Sequence, residues 1–269
     1  GFAVAFAIII LQEKPASTLQ TKRGAKTIFW IGSAWVVFTI LSLVDIQWKD
    51  QLYFSMASYD YTTRVSVIEA MTRTGVPPIN PSYYPGYPVQ LTFLYYFWYI
   101  LGSMIDVIGG HYVDARAALN ASPAWCGLGL MAVVALYLRQ RNANNTESAW
   151  NSAKIGIGLL AVSGLDAFPV TILMILIGSI VGTVEIWNNQ ITAWAGSVLW
   201  VPLHVSALIA GLSAMLLAQS LRGKTAFRQF AIMTIAGLGF ASAIGLSTWV
   251  TVAFVVFWSY IGFAQYMLM

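Results

Sequence analysis

The sequence predicts an all-α, polytopic transmembrane helix bundle, and three observations carry that expectation. Hydrophobic residues fill 58% of the 269 positions and Asp, Glu, Lys and Arg only 9%, against roughly a quarter charged in soluble domains. So little charge cannot cover a water-facing surface. The apolar residues come in long unbroken runs, not in the alternating segments of about ten that a transmembrane barrel needs. Inside hydrocarbon every backbone N–H and C=O must find an internal partner, and such runs meet that demand as helices.

A spanning helix takes about 20 mainly apolar residues, which selects 28–46, 89–109, 118–138, 198–218, 229–247 and 249–268. The opening GFAVAFAIIIL, residues 1–11, supplies half a span. Because the chain opens at Gly1 and closes at Met269 inside apolar runs, a piece of a longer protein is expected, with 1–269 forming one integral membrane domain. Residues 153–184 are apolar but interrupted by Asp166 and Pro169. Proline removes a helical hydrogen bond and an aspartate in lipid needs shelter, so a break is expected near Asp166–Pro169, giving two short helices or a re-entrant hairpin.

The net charge of +4 comes from 14 Lys and Arg residues scattered through short loops. No basic face forms, so nucleic acid is not an expected partner, and membrane lipids are. The cations read instead as topology signals. Loops 12–26 (Lys14, Lys22, Arg23, Lys26) and 219–228 (Arg222, Lys224, Arg228) are expected in the cytoplasm by the positive-inside rule. Counting spans then puts 47–87 and 185–197 outside. It also puts 139–152 outside, against the sign of Arg139 and Arg141.

The loop 47–88 is long for a compact membrane protein and too aromatic for disorder, so it should fold. Tyr61, Val65, Ile68 and Met71 or Thr72 recur at helical spacing, and Thr62, Ser66, Glu69 and Arg73 share the other face. The spacing predicts an amphipathic interfacial helix over 57–74. Asp60 stands where an N-cap would stand, Gly75 closes the helix and Pro77 prevents continuation. Glu69 and Arg73, four apart, are placed to form a surface pair. Beyond them GVPPINPSYYPGYP (75–88) makes a stiff aromatic approach to YYFWY (95–99).

This order resembles the front of the glycosyltransferase C superfamily: a first helix, an outer loop with the acidic residue of SYDYTTR (58–64), an amphipathic helix, then a G-x-P-P segment running into a tyrosine-rich helix. YYFWY also resembles a group of uncharacterised prokaryotic membrane proteins named for a triple-tyrosine motif. The resemblance covers residues 28–140. It implies a prokaryotic inner or plasma membrane protein that moves a sugar from a polyprenyl-phosphate donor at the outer face. It further implies that a carboxylate of the first loop is the base or a ligand of a divalent cation. Asp60 matches that place, with Asp50 second. The loop lacks the paired D-x-D or E-x-D of metal-dependent members.

Other polar marks complete the candidate set. Arg64 and Arg73 are cations that can balance a departing phosphate. Glu185 and Asn188 lie in EIWNNQITAW (185–194), where amides beside indoles suit sugar hydroxyls and faces, or form a polar loop within an aromatic belt. His204 opens a span behind Pro202, a place for a substrate contact or for a hydrogen-bonded interface residue. Arg116 begins another span and reaches for a lipid phosphate or snorkels. Two histidines and one cysteine, Cys126, all far apart, exclude zinc-type sites, and no G-x-S-x-G nucleophile appears. The rival functions are a non-catalytic subunit packed among other membrane subunits and, third, a transporter.

Overall fold

The computed structural model describes residues 19–53, 60–91, 96–141, 146–160, 172, 175–178, 194–221 and 223–267. The expected break at Asp166–Pro169, the half-span 1–11 and the 185–193 loop lie outside the described residues. The fold is an all-α helix bundle, whose described helices are α1 (Leu19–Leu43), α2 (Tyr61–Thr74), α3 (Tyr96–Gly109), α4 (Ala115–Arg141), α5 (Thr146–Leu159), α6 (Trp194–Trp200), α7 (Pro202–Gln219), α8 (Ala226–Leu246) and α9 (Thr248–Met267). A two-stranded hairpin, β1 (Ile46–Trp48) and β2 (Gln51–Tyr53), follows α1. The sequence expectation contained no strand there. Lys49 makes its tight turn with φ at 56°.

Four helices are long and apolar enough to cross a membrane: α1 over Lys26–Leu43, α4 over Ala115–Gln140, α7 and α8. They present large apolar side chains outward, Phe29 and Trp30 on α1 and Phe227 and Phe230 on α8 among them. In water such a surface would drive aggregation, and against lipid it is the natural exterior. The chain is an integral membrane protein.

Helix α4 is the axis of the bundle. The Trp35 indole of α1 packs against it at Gly127, where a Cβ would come within 2.0 Å of the indole nitrogen. A side chain at 127 would push α1 away. Pro123 cannot donate to the Leu119 carbonyl one turn back, and the Ser122 hydroxyl takes that carbonyl instead at 2.5 Å. On the other flank Ser206 Oγ meets Cys126 Sγ at 3.4 Å, and the Tyr137 hydroxyl donates to Leu212 O at 3.1 Å. These pairs advance together along α4 and α7, so the two helices run parallel.

The ends of the helices decide the topology. Arg116, in the first turn of α4, pairs with Asp45 just beyond the end of α1. The start of α4 and the end of α1 therefore share one end of the bundle. The predicted span 89–109 does not cross. Its described helix, α3, is Tyr96–Gly109. It begins where Phe97 covers Gly245 near the end of α8 and finishes five residues before α4 starts, so both its ends lie at that same end. Residues 89–91 are extended, with Gln90 bridged to Ile79.

Without that crossing, α4 runs away from Asp45 and delivers Arg139 and Arg141 to the end that holds Lys26, Lys224 and Arg228. This overturns the count that put 139–152 opposite those cations, and it removes the conflict of charge. We call the two ends the cap end, where α2 and α3 sit, and the basic end. The predicted span 198–218 is also divided: Val201, with φ −127° and ψ 58°, separates α6 from α7, and Pro202 opens the new helix. Cysteines at Gln140 and Lys224, in a Cys126→Ser background, should be labelled by an impermeant maleimide from one side of the membrane, and a cysteine at Thr62 from the other. Labelling of Gln140 and Thr62 from the same side would restore a crossing α3.

One apolar core unites the cap end. Ile68, Val67 and Met71 of α2 pack with Leu43, Trp98, Leu119, Leu203, Ala243 and Leu246, drawn from the cap-end portions of α1, α4, α7 and α8 and from α3. The predicted helix of the long loop exists over Tyr61–Thr74 with the expected apolar face. Residues 57–59 lie outside the described residues. Its face is buried in protein, whereas the sequence expectation had it lying on lipid.

Candidate functional site at the cap end

The site is built where the first turn of α2 meets the break between α6 and α7. A helix leaves its last carbonyls without intrahelical partners, and a partial negative charge gathers there. Here α2 supplies the partners. The Tyr61 hydroxyl donates to Leu199 O and the Arg64 guanidinium to Trp200 O. In return the Trp200 indole N–H donates to Asp60 Oδ2 at 2.9 Å, and Arg64 lies 3.7 Å from the same carboxylate oxygen. Arg64 also stacks over the Tyr61 ring, 5.6 Å from its centroid.

Asp60 does not cap α2. Its backbone sits at φ −79° and ψ −6°, and its side chain makes no capping hydrogen bond. An N-cap reaches the N2 or N3 amide from extended backbone, and helical backbone turns the carboxylate elsewhere, here to Trp200. The Asp60 side chain is 44% exposed and that of Arg64 only 11%. Arg64 is thus an internal strut, and Asp60 the part of this cluster that meets solvent.

The other predicted residues separate. Glu69 and Arg73 form their pair at 3.5 Å, farther along α2. With side chains 46% and 77% exposed, screening limits such a pair to about 0.3–0.5 kcal/mol. His204 joins its Nδ1 to Ser247 Oγ at 2.7 Å, tying the start of α7 to the turn between α8 and α9. Ser247 is fully buried and also accepts the Val250 N–H at 3.3 Å. Asp50 occupies the exposed hairpin turn. Glu185 and Asn188 lie outside the described residues, so whether Glu185 converges with Asp60 does too.

Several partners were not foreseen. Trp200 lies 140 positions from Asp60, and only the V-P pair behind it signals a helix break. Asp114 is the cap that Asp60 is not, its Oδ1 accepting the Ala117 N–H at 2.6 Å. Asp106 of α3 accepts the Thr72 hydroxyl at 2.7 Å. Arg116, expected to seek lipid, finds Asp45.

For a divalent cation the fit is poor. Among the described residues no three of His, Cys, Asp and Glu gather, and the one exposed carboxylate of the cluster already holds an indole N–H and a guanidinium.

Burial pushes the Tyr61 hydroxyl from 10.0 up to about 12, against the opposing pull of Arg64. A group whose pKa rises on folding favours the fold below its unfolded value, and loses that contribution as pH climbs through the folded value. Stability should therefore fall between about pH 10 and about 12. Tyr61→Phe should flatten that fall in unfolding titrations. An unchanged slope would mean that Tyr61 is not the buried group.

Fold and site together define a class: an integral membrane helix bundle whose helix α2 is locked onto one end by an Asp–Trp–Arg cluster. No protein-family model, curated protein or solved structure matches the chain.

Proposed function

We propose that this chain is a glycosyltransferase-like membrane protein that moves a sugar from a polyprenyl-phosphate donor to a hydroxyl acceptor at the cap end. The cap end faces outward and the basic end the cytoplasm of a prokaryotic inner membrane, because Lys26, Arg139, Arg141, Lys224 and Arg228 gather at the latter. The observation that carries the reading is Asp60: a carboxylate released from capping, anchored through one oxygen by Trp200 and open to solvent.

In this reaction Asp60 takes the proton of the acceptor hydroxyl, whose oxygen attacks the anomeric carbon. The bond from that carbon to phosphate oxygen breaks, and polyprenyl phosphate leaves with the bonding pair. Anchoring by Trp200 fixes the base in position, which is a large part of what a general base needs. Arg73, 77% exposed in its side chain, is paired with Glu69 and stands near the far end of α2 from Asp60, about 20 Å away at 1.5 Å per residue, so it does not meet the phosphate of a sugar held at Asp60. Arg64 is not free to approach it either, since Trp200 O holds it.

One observation favours the rival reading of a non-catalytic subunit. The contacts of Tyr61, Asp60 and Arg64 form a complete structural lock between α2 and the α6–α7 break. The two readings part in an assay of transfer from polyprenyl-phosphate sugars by the full-length protein in vesicles. Sugar transfer that depends on Asp60 supports the enzyme, and none across a broad donor panel supports the subunit.

A further inference from the structure

A cavity lies beside this cluster, and Asp60 is not part of its wall. It has a volume of about 350 Å³ and opens between the end of α1, the hairpin and α2, with Asp45 and Arg116 on one wall and Thr62, Ser66 and Tyr61 on another. Leu52 of the hairpin adds an apolar surface. We infer that this cavity binds an uncharged, hydroxyl-rich ring of about monosaccharide size, on the acceptor side of the proposed reaction, an assignment of role that rests on the transferase reading.

Three features select that ligand class. First, Asp45 and Arg116 neutralise each other, so the wall offers no net charge to a phosphate or a metal ion. It still offers carboxylate acceptors beside guanidinium donors. A vicinal diol, each of whose hydroxyls both donates and accepts, complements such a wall better than any singly charged group. Second, Asp45 Oδ1 is buried and has no hydrogen-bond partner within the protein. Buried acceptors are almost always satisfied, and because the Asp45 side chain lines the cavity, a small turn of its carboxylate brings this orphaned oxygen to a donor from outside the chain. Third, Ser66 gives its proton to Thr62 O at 2.9 Å, which leaves its oxygen as an acceptor facing the same space.

Size and position agree with the assignment. A volume of about 350 Å³ lies at the small end of ligand pockets and is ample for one sugar ring. The cavity stands at the cap end, where a polar ring meets the membrane surface and not the hydrocarbon. Leu52 supplies the apolar contact that the C–H face of a sugar ring takes.

The test is saturation-transfer NMR on the full chain in nanodiscs, with methyl α-glucoside, methyl α-mannoside and methyl α-galactoside as probes and glycerol 3-phosphate as the charged comparison. At least one glycoside should receive saturation at millimolar concentration. Asp45→Asn should weaken it by about tenfold or more, the scale of one lost charged hydrogen bond. Because Asp45→Asn strands Arg116 and can unsettle the fold, Thr62→Trp provides the second arm: Thr62 is exposed, and the indole occupies the cavity while both members of the ion pair are kept. Thr62→Trp should abolish the signal. No binding by any glycoside, binding that survives Thr62→Trp, or stronger binding of glycerol 3-phosphate would each overturn the inference. Methyl glycosides bind without a donor, so failure of binding and failure of transfer are distinguishable results.

Discussion

Asp60→Asn should lower sugar transfer by about 10²- to 10⁴-fold, the usual contribution of a general base, while the protein stays folded. The substitution is nearly isosteric and keeps a carbonyl oxygen for the Trp200 indole, the hydrogen bond that positions the residue. It removes the negative charge from Arg64, but Arg64 retains the Trp200 carbonyl. What disappears is basicity. Transfer is read with the full-length protein in vesicles, and folding by its melting temperature in detergent. A well-folded Asp60→Asn protein with wild-type transfer would remove Asp60 from the mechanism and leave its cluster as a structural lock. Trp200→Phe provides the graded companion: the carboxylate survives without its anchor, so transfer should drop less than in Asp60→Asn.

The largest effect on stability is expected at Ile68→Ala, a loss of about 2–5 kcal/mol. Ile68 is 1% exposed and packs on Gly102 so closely that a Cβ there would lie 2.7 Å from Ile68 Cδ1. Truncation opens a cavity between α2 and α3 that their backbones, already in close approach, cannot close by moving nearer. The consequence reaches the site, because the same face of α2 holds its first turn against α6. Denaturant titration in detergent measures the loss. A change below about 0.5 kcal/mol, typical of surface positions, would mean that α2 rests on lipid or detergent instead of on the bundle.

The candidate site was legible in part. Asp60 stands out in the sequence as the acid before an amphipathic helix, and the helix itself is marked by periodicity, Gly75 and Pro77. Its partner was not legible, because Trp200 belongs to an apolar run where a tryptophan ordinarily means an interfacial anchor. The capping role assigned to Asp60 followed from position alone. Capping depends on backbone angles at the residue, and Asp60 sits on helical backbone that points its carboxylate away from the α2 amides. The Glu69–Arg73 pair was readable because four-residue spacing on a helix is local geometry.

What the sequence by itself determined is the class of structure and most of its helices. Transfer of apolar residues into lipid is a property of each segment alone, so composition and run length placed α1, α4, α7, α8 and α9 in chain order, and 3.6-residue periodicity placed α2. What only the tertiary structure decided is which segments cross. Segment 89–109 is apolar enough to span, yet α3 lies across the cap end, held by contacts of Gly102 with Ile68 and of Phe97 with Gly245. The side on which Arg139 falls follows from that, as does the pairing of Arg116 with Asp45 over 71 positions. Hydropathy sums one segment at a time, whereas crossing and pairing are settled by contacts between residues far apart in the chain. Packing against α2, α4 and α8 buries Trp98, Tyr99 and Gly102 of α3 and leaves Leu101, Met104, Val107 and Ile108 exposed.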